Sequence, residues 1–226
     1  MATPIIMEEL ESRTLMSGTP TSPGPLMSAA VIADRAHIQA DLLKFQSDCL
    51  NATATLLTDI TAIKTDDPKQ ATTVTPLLQK MRADIHTMQV TLLGDRLTEK
   101  ANVLADESVI TSDLAKIVHD KGNPTAVAAD RTQLRADRIK LQNDMIAGLN
   151  ARITTRQTAY PGIVADGNAV VAAVQTDAHA SPKLQADLSK WVTDRTGKIS
   201  TLTADLQQLV ADRTHLVTDL TAEQST

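Results

Sequence analysis

Two pairs in this chain set a carboxylate three residues ahead of an imidazole: Asp34-x-x-His37 and Asp212-x-x-His215. On a helix, residues i and i+3 share a face, so each pair could offer one oxygen and one nitrogen to a metal ion. Bundles that hold two irons use Glu-x-x-His on two helices and a carboxylate from each of the other two. The chain has six glutamates, and none precedes a histidine by three. Both histidines fall at heptad position c, away from the helix seam. Counting back from the turns sets residues 34 and 212 about ten residues, roughly 15 Å, apart in height. The expectation is two separate, solvated i,i+3 pairs, with no metal site and no cofactor. His119, beside Asp120 near a helix end, suits the C-terminal dipole. His86 and His179 have no obvious partner.

Nucleophilic chemistry has as little support. Cys49 falls on a seam position and reads as a small buried hydrophobe. A single cysteine also excludes a disulfide framework and a cysteine-based zinc site. No Gly-x-Ser-x-Gly, phosphate-binding loop or dinucleotide fingerprint occurs. Met81, Met88 and Met145 lie on seams as core filler. Asn51-Ala52-Thr53 matches a glycosylation sequon but sits mid-helix. No catalytic residue is expected. The one candidate ligand pocket is at Tyr160-Pro161-Gly162, where a helix break would open space and Trp191 could line it.

The elements that must carry these residues follow from composition and punctuation. The 226 residues are 42% hydrophobic and 22% charged, with a net charge of -5. Phe45, Tyr160 and Trp191 are the only aromatics, which argues against an all-β fold. An acidic chain without Lys/Arg clusters is a poor match for nucleic acid. No run reaches the ~18–20 apolar residues of a membrane span, and the negative charge disfavours anionic lipid surfaces. Thr75-Pro76, Asn123-Pro124 and Ser181-Pro182 each put a capping side chain before a proline, the Ncap–N1 arrangement. Asp67-Pro68 is a fourth candidate, and Gly122 suits a helix C′ position. The helices are therefore expected over about 28–65, 76–121, 124–178 and 182–223. The short connections make neighbours antiparallel. The fold class is all-α, an elongated antiparallel four-helix bundle, its third helix kinked or broken at Pro161.

Apolar residues recur in alternating steps of four and three. The stripes run Val31, Arg35, Ile38, Leu42, Phe45, Cys49, Ala52, Leu56; Leu78, Met81, Ile85, Met88, Leu92; Val103, Glu107, Ile110, Leu114, Ile117; Val127, Arg131, Leu134, Arg138, Leu141, Met145; and Leu202, Leu206, Leu209, Arg213, Leu216, Leu220. A sustained 3.5-residue period predicts coiled-coil-like heptad packing. Leu42, Phe45, Leu134, Leu141, Leu206 and Leu216 are expected core. With the arginines at a, aspartates fill g on every helix. The triplet Ala-Asp-Arg recurs at 33–35, 129–131, 136–138 and 211–213. Asp34, Arg35, Asp130, Arg131, Asp137, Arg138, Asp212 and Arg213 are thus the candidate interaction and register residues. A seam arginine must pair or snorkel, and the expected partners are aspartates of adjacent helices.

Residues 33–48 and 129–144 share Ala, Asp, Arg, Ala, Asp, Lys, Gln and Asp at matching places. This reads as a helical hairpin duplicated in tandem, 28–121 and 124–223, within a bundle spanning 28–226. Residues 1–27 hold four prolines and two glycines and read as a flexible leader. Within it, Leu10-Glu11-Ser12-Arg13-Thr14-Leu15-Met16-Ser17 resembles the LEPR-XLL motif near the N-termini of planctomycete-type bacterial proteins. Leu10, Glu11, Arg13 and Leu15 match; Ser12 replaces the proline and Met16 the last leucine. The resemblance implies a bacterial source and an exported or surface location, cytoplasmic residence being the alternative. The expected function is a non-enzymatic structural or protein-interaction bundle whose partner is a protein, itself included. A bundle binding a small ligand near Pro161 is the alternative.

Overall fold

A computed structural model describes residues 29–66, 74–176 and 181–224. The leader, the LEPR-XLL-like segment, Asp67-Pro68, His179 and the side chains of Ala52, Thr53 and Leu56 lie outside the described residues. Four helices make up the fold: α1 (Ala29–Asp66), α2 (Val74–His119), α3 (Pro124–Thr176) and α4 (Pro182–Gln224). At 1.5 Å per residue the 53-residue α3 is about 80 Å long.

Two of the expected caps close as the sequence requires. Asn123 Oδ1 accepts the Ala126 amide at 3.2 Å, and Ser181 Oγ accepts the Leu184 amide at 3.1 Å. Each cap satisfies an amide that has no intrahelical acceptor, and the proline after it has none to satisfy. The helix α2 begins at Val74, so Pro76 sits inside the first turn, where its missing N–H costs nothing. Gly122 does not take a left-handed conformation; α2 ends at His119 and the chain turns through the Asn123 amide on the Asp120 carbonyl.

Of the kink or break expected at Tyr160-Pro161-Gly162, the break does not occur: α3 runs helical from 124 to 176. Pro161 and Gln157 are both exposed. The carbonyl that the proline leaves without its amide is thus on the solvent side, where water can serve it.

The helices pack in the order α1–α4–α3–α2, each pair antiparallel. Lys44 reaches Asp205 while Asp34 reaches His215, which fixes α1 against α4. Lys80–Asp166 and Lys140–Asp106 do the same for α2 against α3. Val31, Ile38 and Phe45 of α1 share one apolar cluster with Leu149 and Ile153 of α3 and Leu202, Leu206, Leu209, Leu216 and Leu220 of α4. Met81, Ile85 and Met88 of α2 share another with Ile163, Trp191, Val192 and Ile199. A third cluster, Val170, Val174, Leu184 and Leu188, fills the end beside the α3–α4 turn. Each side chain removed from water here contributes about 1.5–3 kcal/mol. Of the expected core, Phe45, Leu134, Leu206 and Leu216 are buried, and Leu42 and Leu141 are half-buried.

Charged groups lie where the first two clusters meet on α3. Arg152 pairs with Glu99 at 2.8 Å, and the Arg156 guanidinium stands 6.0 Å over the Phe45 ring. Both arginines are buried. Thr155 donates to Asp95 at 2.8 Å beside them. Such a belt favours one register of α2 on α3, since a slip would leave buried charge without its partner. Threonine, a mediocre helix former, is accommodated by its hydroxyl. Thr87, Thr91, Thr98, Thr111, Thr132, Thr203 and Thr214 each donate to the carbonyl four residues back.

Candidate functional site

The second half of α2 is built inside out. Its last buried hydrophobic residue is Met88; beyond it the buried residues are Asp106 and Asp113. The large apolar side chains of this stretch face water instead. Val90, Leu93, Leu97, Leu104, Val109, Leu114 and Val118 are between 44% and 69% exposed. This corrects the seam expected through Glu107 and Leu114, which lies one residue round the helix. Val103, Ile110 and Ile117 are half-buried as that seam requires, but its remaining places go to Asp106 and Asp113. Asp106 is held by Lys140 of α3, and Asp113 by Lys116 of its own helix at 2.8 Å. That lysine keeps the Asp113 carboxyl below the usual carboxylate range.

All of these seven but Val109 share one geometry. Val90, Leu97, Leu104 and Val118 repeat at multiples of seven, and Leu93 and Leu114 occupy the complementary position three residues on. Lys100, Glu107 and Thr111 fill the remaining places of the same stripe. Burial pushes the Glu107 carboxyl up, as expected of a half-buried acid bordered by leucines. Single exposed leucines need no explanation, but six apolar residues in one heptad stripe make an exposed apolar face, interrupted at Lys100, Glu107 and Thr111. The sequence held this signal, because the 90–118 stripe keeps the period of the seams and runs beside one of them. Two interleaved stripes on one helix mean two apolar faces.

A second recurrent arrangement joins neighbouring helices. A basic side chain meets the aspartate four residues on in its own helix and a mostly buried aspartate of the next helix. Lys44 meets Asp48 and Asp205, Lys80 meets Asp84 and Asp166, and Lys140 meets Asp144 and Asp106. These bonds raise all three ammonium groups above the ordinary lysine value. His215 takes the same place between Asp219 and Asp34. The height count that separated residues 34 and 212 therefore fails. α1 and α4 are level at Asp34 and His215, which meet at 2.8 Å.

The other candidate residues fall as follows. Arg35 and Arg131 are exposed and Arg138 half-buried, so only Arg213 of the four triplet arginines is buried on a seam. Arg213 donates to Gln142 Oε1 at 2.7 Å and to Met145 Sδ at 3.1 Å. Arg138 lies near Arg35, Arg135 and Glu223, and burial chiefly lowers its pKa. Asp137 accepts from Gln133 and Asp212 from Gln208, each at 2.9 Å along its own helix; Asp130 is half-buried near Lys116. Trp191 is buried in a packed cluster with Met81, Ile85 and Ile163, and Tyr160, half-buried, packs against that cluster. The groove seen in the structure is elsewhere. It is an open space of about 350 Å³ between Asp48 of α1 and Thr193, Asp194, Gly197, Lys198, Thr201 and Leu202 of α4. No helix is long and apolar enough to cross a membrane among the described residues. No protein-family model, curated protein or solved structure matches the chain.

Proposed function

We propose that the chain is a non-enzymatic structural protein that self-associates, the α2 stripe of one copy docking antiparallel on that of a second. The observation that carries this is the exposed heptad of Val90, Leu93, Leu97, Leu104, Leu114 and Val118 over a helix half whose inward face is acidic. The second copy is favoured because the stripe is nearly symmetric about Leu104. Val90 and Val118 end it at equal distances, and Leu93 and Leu114 stand inside them. Lys100 and Glu107 flank the centre with opposite charge. An antiparallel pairing brings Lys100 of each copy beside Glu107 of the other, whereas a parallel one opposes like charges. Covering the exposed halves of these side chains in both copies gains on the order of 10 kcal/mol. Set against an association cost of ~4 kcal/mol, the remaining ~6 kcal/mol corresponds to a dimer Kd of roughly tens of micromolar. The resemblance at residues 10–17 supports placing this assembly at or outside a bacterial surface.

Sedimentation velocity over a wide concentration range tests the reading. The wild-type chain should show a concentration-dependent dimer, and Leu97→Asp with Leu104→Asp should be monomeric with unchanged helicity. Lys100→Glu should weaken the dimer, and Lys100→Glu with Glu107→Lys should restore it. A wild-type chain that stays monomeric at several hundred micromolar, far above the Kd argued above, would sink the proposal.

A further inference from the structure

The clasp at His215 differs from its three lysine counterparts, and the difference points to a ligand. In those clasps the ammonium lies within 3.0 Å of the aspartate four residues on, as it does at Asp48, Asp84 and Asp144. His215 Nδ1 is 2.8 Å from Asp34 but 4.0 Å from Asp219. The second carboxylate is therefore not engaged. Asp34 is more than nine-tenths buried, and its Oδ2 has no hydrogen-bond donor. Asp219 Oδ2 is buried and likewise has none. Lysine brings a fixed positive charge between its two aspartates, whereas a neutral imidazole brings none. A neutral ring that carries its proton on Nδ1 can donate to Asp34, but it leaves the two carboxylates without a cation between them.

We propose that Asp34, His215 and Asp219 form a binding site for a divalent transition-metal ion of the zinc class, joining α1 to α4. One ligand atom from each residue lies within 4.8 Å of the others. His215 and Asp219 are four apart, the helical spacing that turns two side chains to one point. Ligand atoms around a tetrahedral zinc stand ~3.4 Å apart, given bonds of 2.0–2.2 Å. The 2.8 and 4.0 Å separations lie on either side of that edge. Imidazole with two carboxylates selects a borderline transition ion over the all-oxygen preference of Mg²⁺ and Ca²⁺. His215 is largely exposed, which leaves an entry path and a fourth position for water. The site would clamp the two helices through their ends. This inference does not depend on self-association through α2.

Calorimetric titration of ZnCl₂ into the full chain at neutral pH, in a buffer that does not chelate, tests it. Wild-type protein should bind, and its Tm should rise by about 5 °C at a hundredfold excess over Kd. His215→Lys should weaken binding at least tenfold while keeping the fold, because lysine completes the clasp as it does at positions 44 and 140. Asp34→Asn should weaken binding similarly, and His37→Ala, on the same helix three residues from Asp34, should leave it unchanged. Mg²⁺ at the same concentration should give no heat. Absence of zinc binding by wild type up to about 1 mM, equal binding by His215→Lys, or loss of binding in His37→Ala would each overturn the proposal.

Discussion

Leu104 and Asp106, two residues apart on α2, each hold the place that the other's chemistry would claim: the leucine is 55% exposed and the aspartate 4%. Two residues along a helix is about 200° of rotation, so the pair points to opposite faces. The inward face can be acidic because α3 opposes it with Lys140, Arg152 and Thr155. The outward face is apolar over the same stretch, and one helix thus carries an ionic interface on one side and an uncovered hydrophobic one on the other. On such a helix charge favours one register on the inner side while the leucines stay exposed on the other.

The ionic side predicts an ordering of variants. Lys140→Met strips the buried Asp106 carboxylate of its cation and should lower the urea midpoint. Asp106→Leu replaces a buried charge by an apolar group of similar size, and Lys140 keeps its bond to Asp144. That variant should match or exceed wild-type stability, and the double variant should recover what Lys140→Met loses. Equilibrium urea unfolding of the three variants decides the matter; equal losses for both single changes would show that the pair acts otherwise.

The bundle was legible in the sequence to the extent that punctuation and apolar period determine it. Asn123 and Ser181 cap where they should, and the stripe from Leu202 to Leu220 is core throughout save Arg213, which is buried with it. What escaped was the partner choice of each charged position. A heptad register with aspartate at g does not say whether the aspartate or its neighbouring arginine turns inward. Asp34 is buried and Arg35 exposed because Asp34 meets His215 of α4, and only the three-dimensional level of the two helices shows that. That Pro161 leaves α3 unbroken has a related reason: its cost falls with exposure, and Pro161 faces solvent. The α2 stripe could have been read, since Val90, Leu97, Leu104 and Val118 sit in plain heptad spacing. A second stripe on a helix is easily absorbed into a broad apolar face, however, until burial shows which stripe is covered.

Three positions on two helices test how tightly these elements meet. A Cβ at residue 148 would come within 2.5 Å of Glu99 Cγ, and Glu99 is held by its 2.8 Å pair with Arg152. Gly148→Ala should therefore destabilise, by about 1–3 kcal/mol, as overpacked sites do. Gly94 faces open space, so Gly94→Ala should stabilise by about 0.5–1 kcal/mol through helix propensity. Pro161→Ala restores a helical amide at an exposed position and should also raise Tm. Thermal melts of the three variants check this, and a stabilising Gly148→Ala would mean that Glu99 is free to move aside.

The His215 clasp predicts a dependence of stability on pH in metal-free protein. Its hydrogen bond to Asp34 is the largest cause raising the His215 pKa above the ordinary histidine value, with the charges of Asp34, Asp219 and Asp212 adding to it. A group whose pKa is higher in the folded state binds its proton more tightly there. Its stabilising contribution is complete below the unfolded value, near 6.5, and is lost as pH rises through the higher folded value. The groups facing the ring are the carboxylates of Asp34, Asp219 and Asp212. With a chelator present, Tm should fall as pH rises from the ordinary histidine value through the higher folded one. His215→Lys should flatten that decline, because lysine keeps its charge throughout the interval. Asp34→Asn should flatten it too, by removing the cause of the raised pKa. A decline of equal size in all three proteins would assign the pH dependence to another group and leave the clasp without a titrating role.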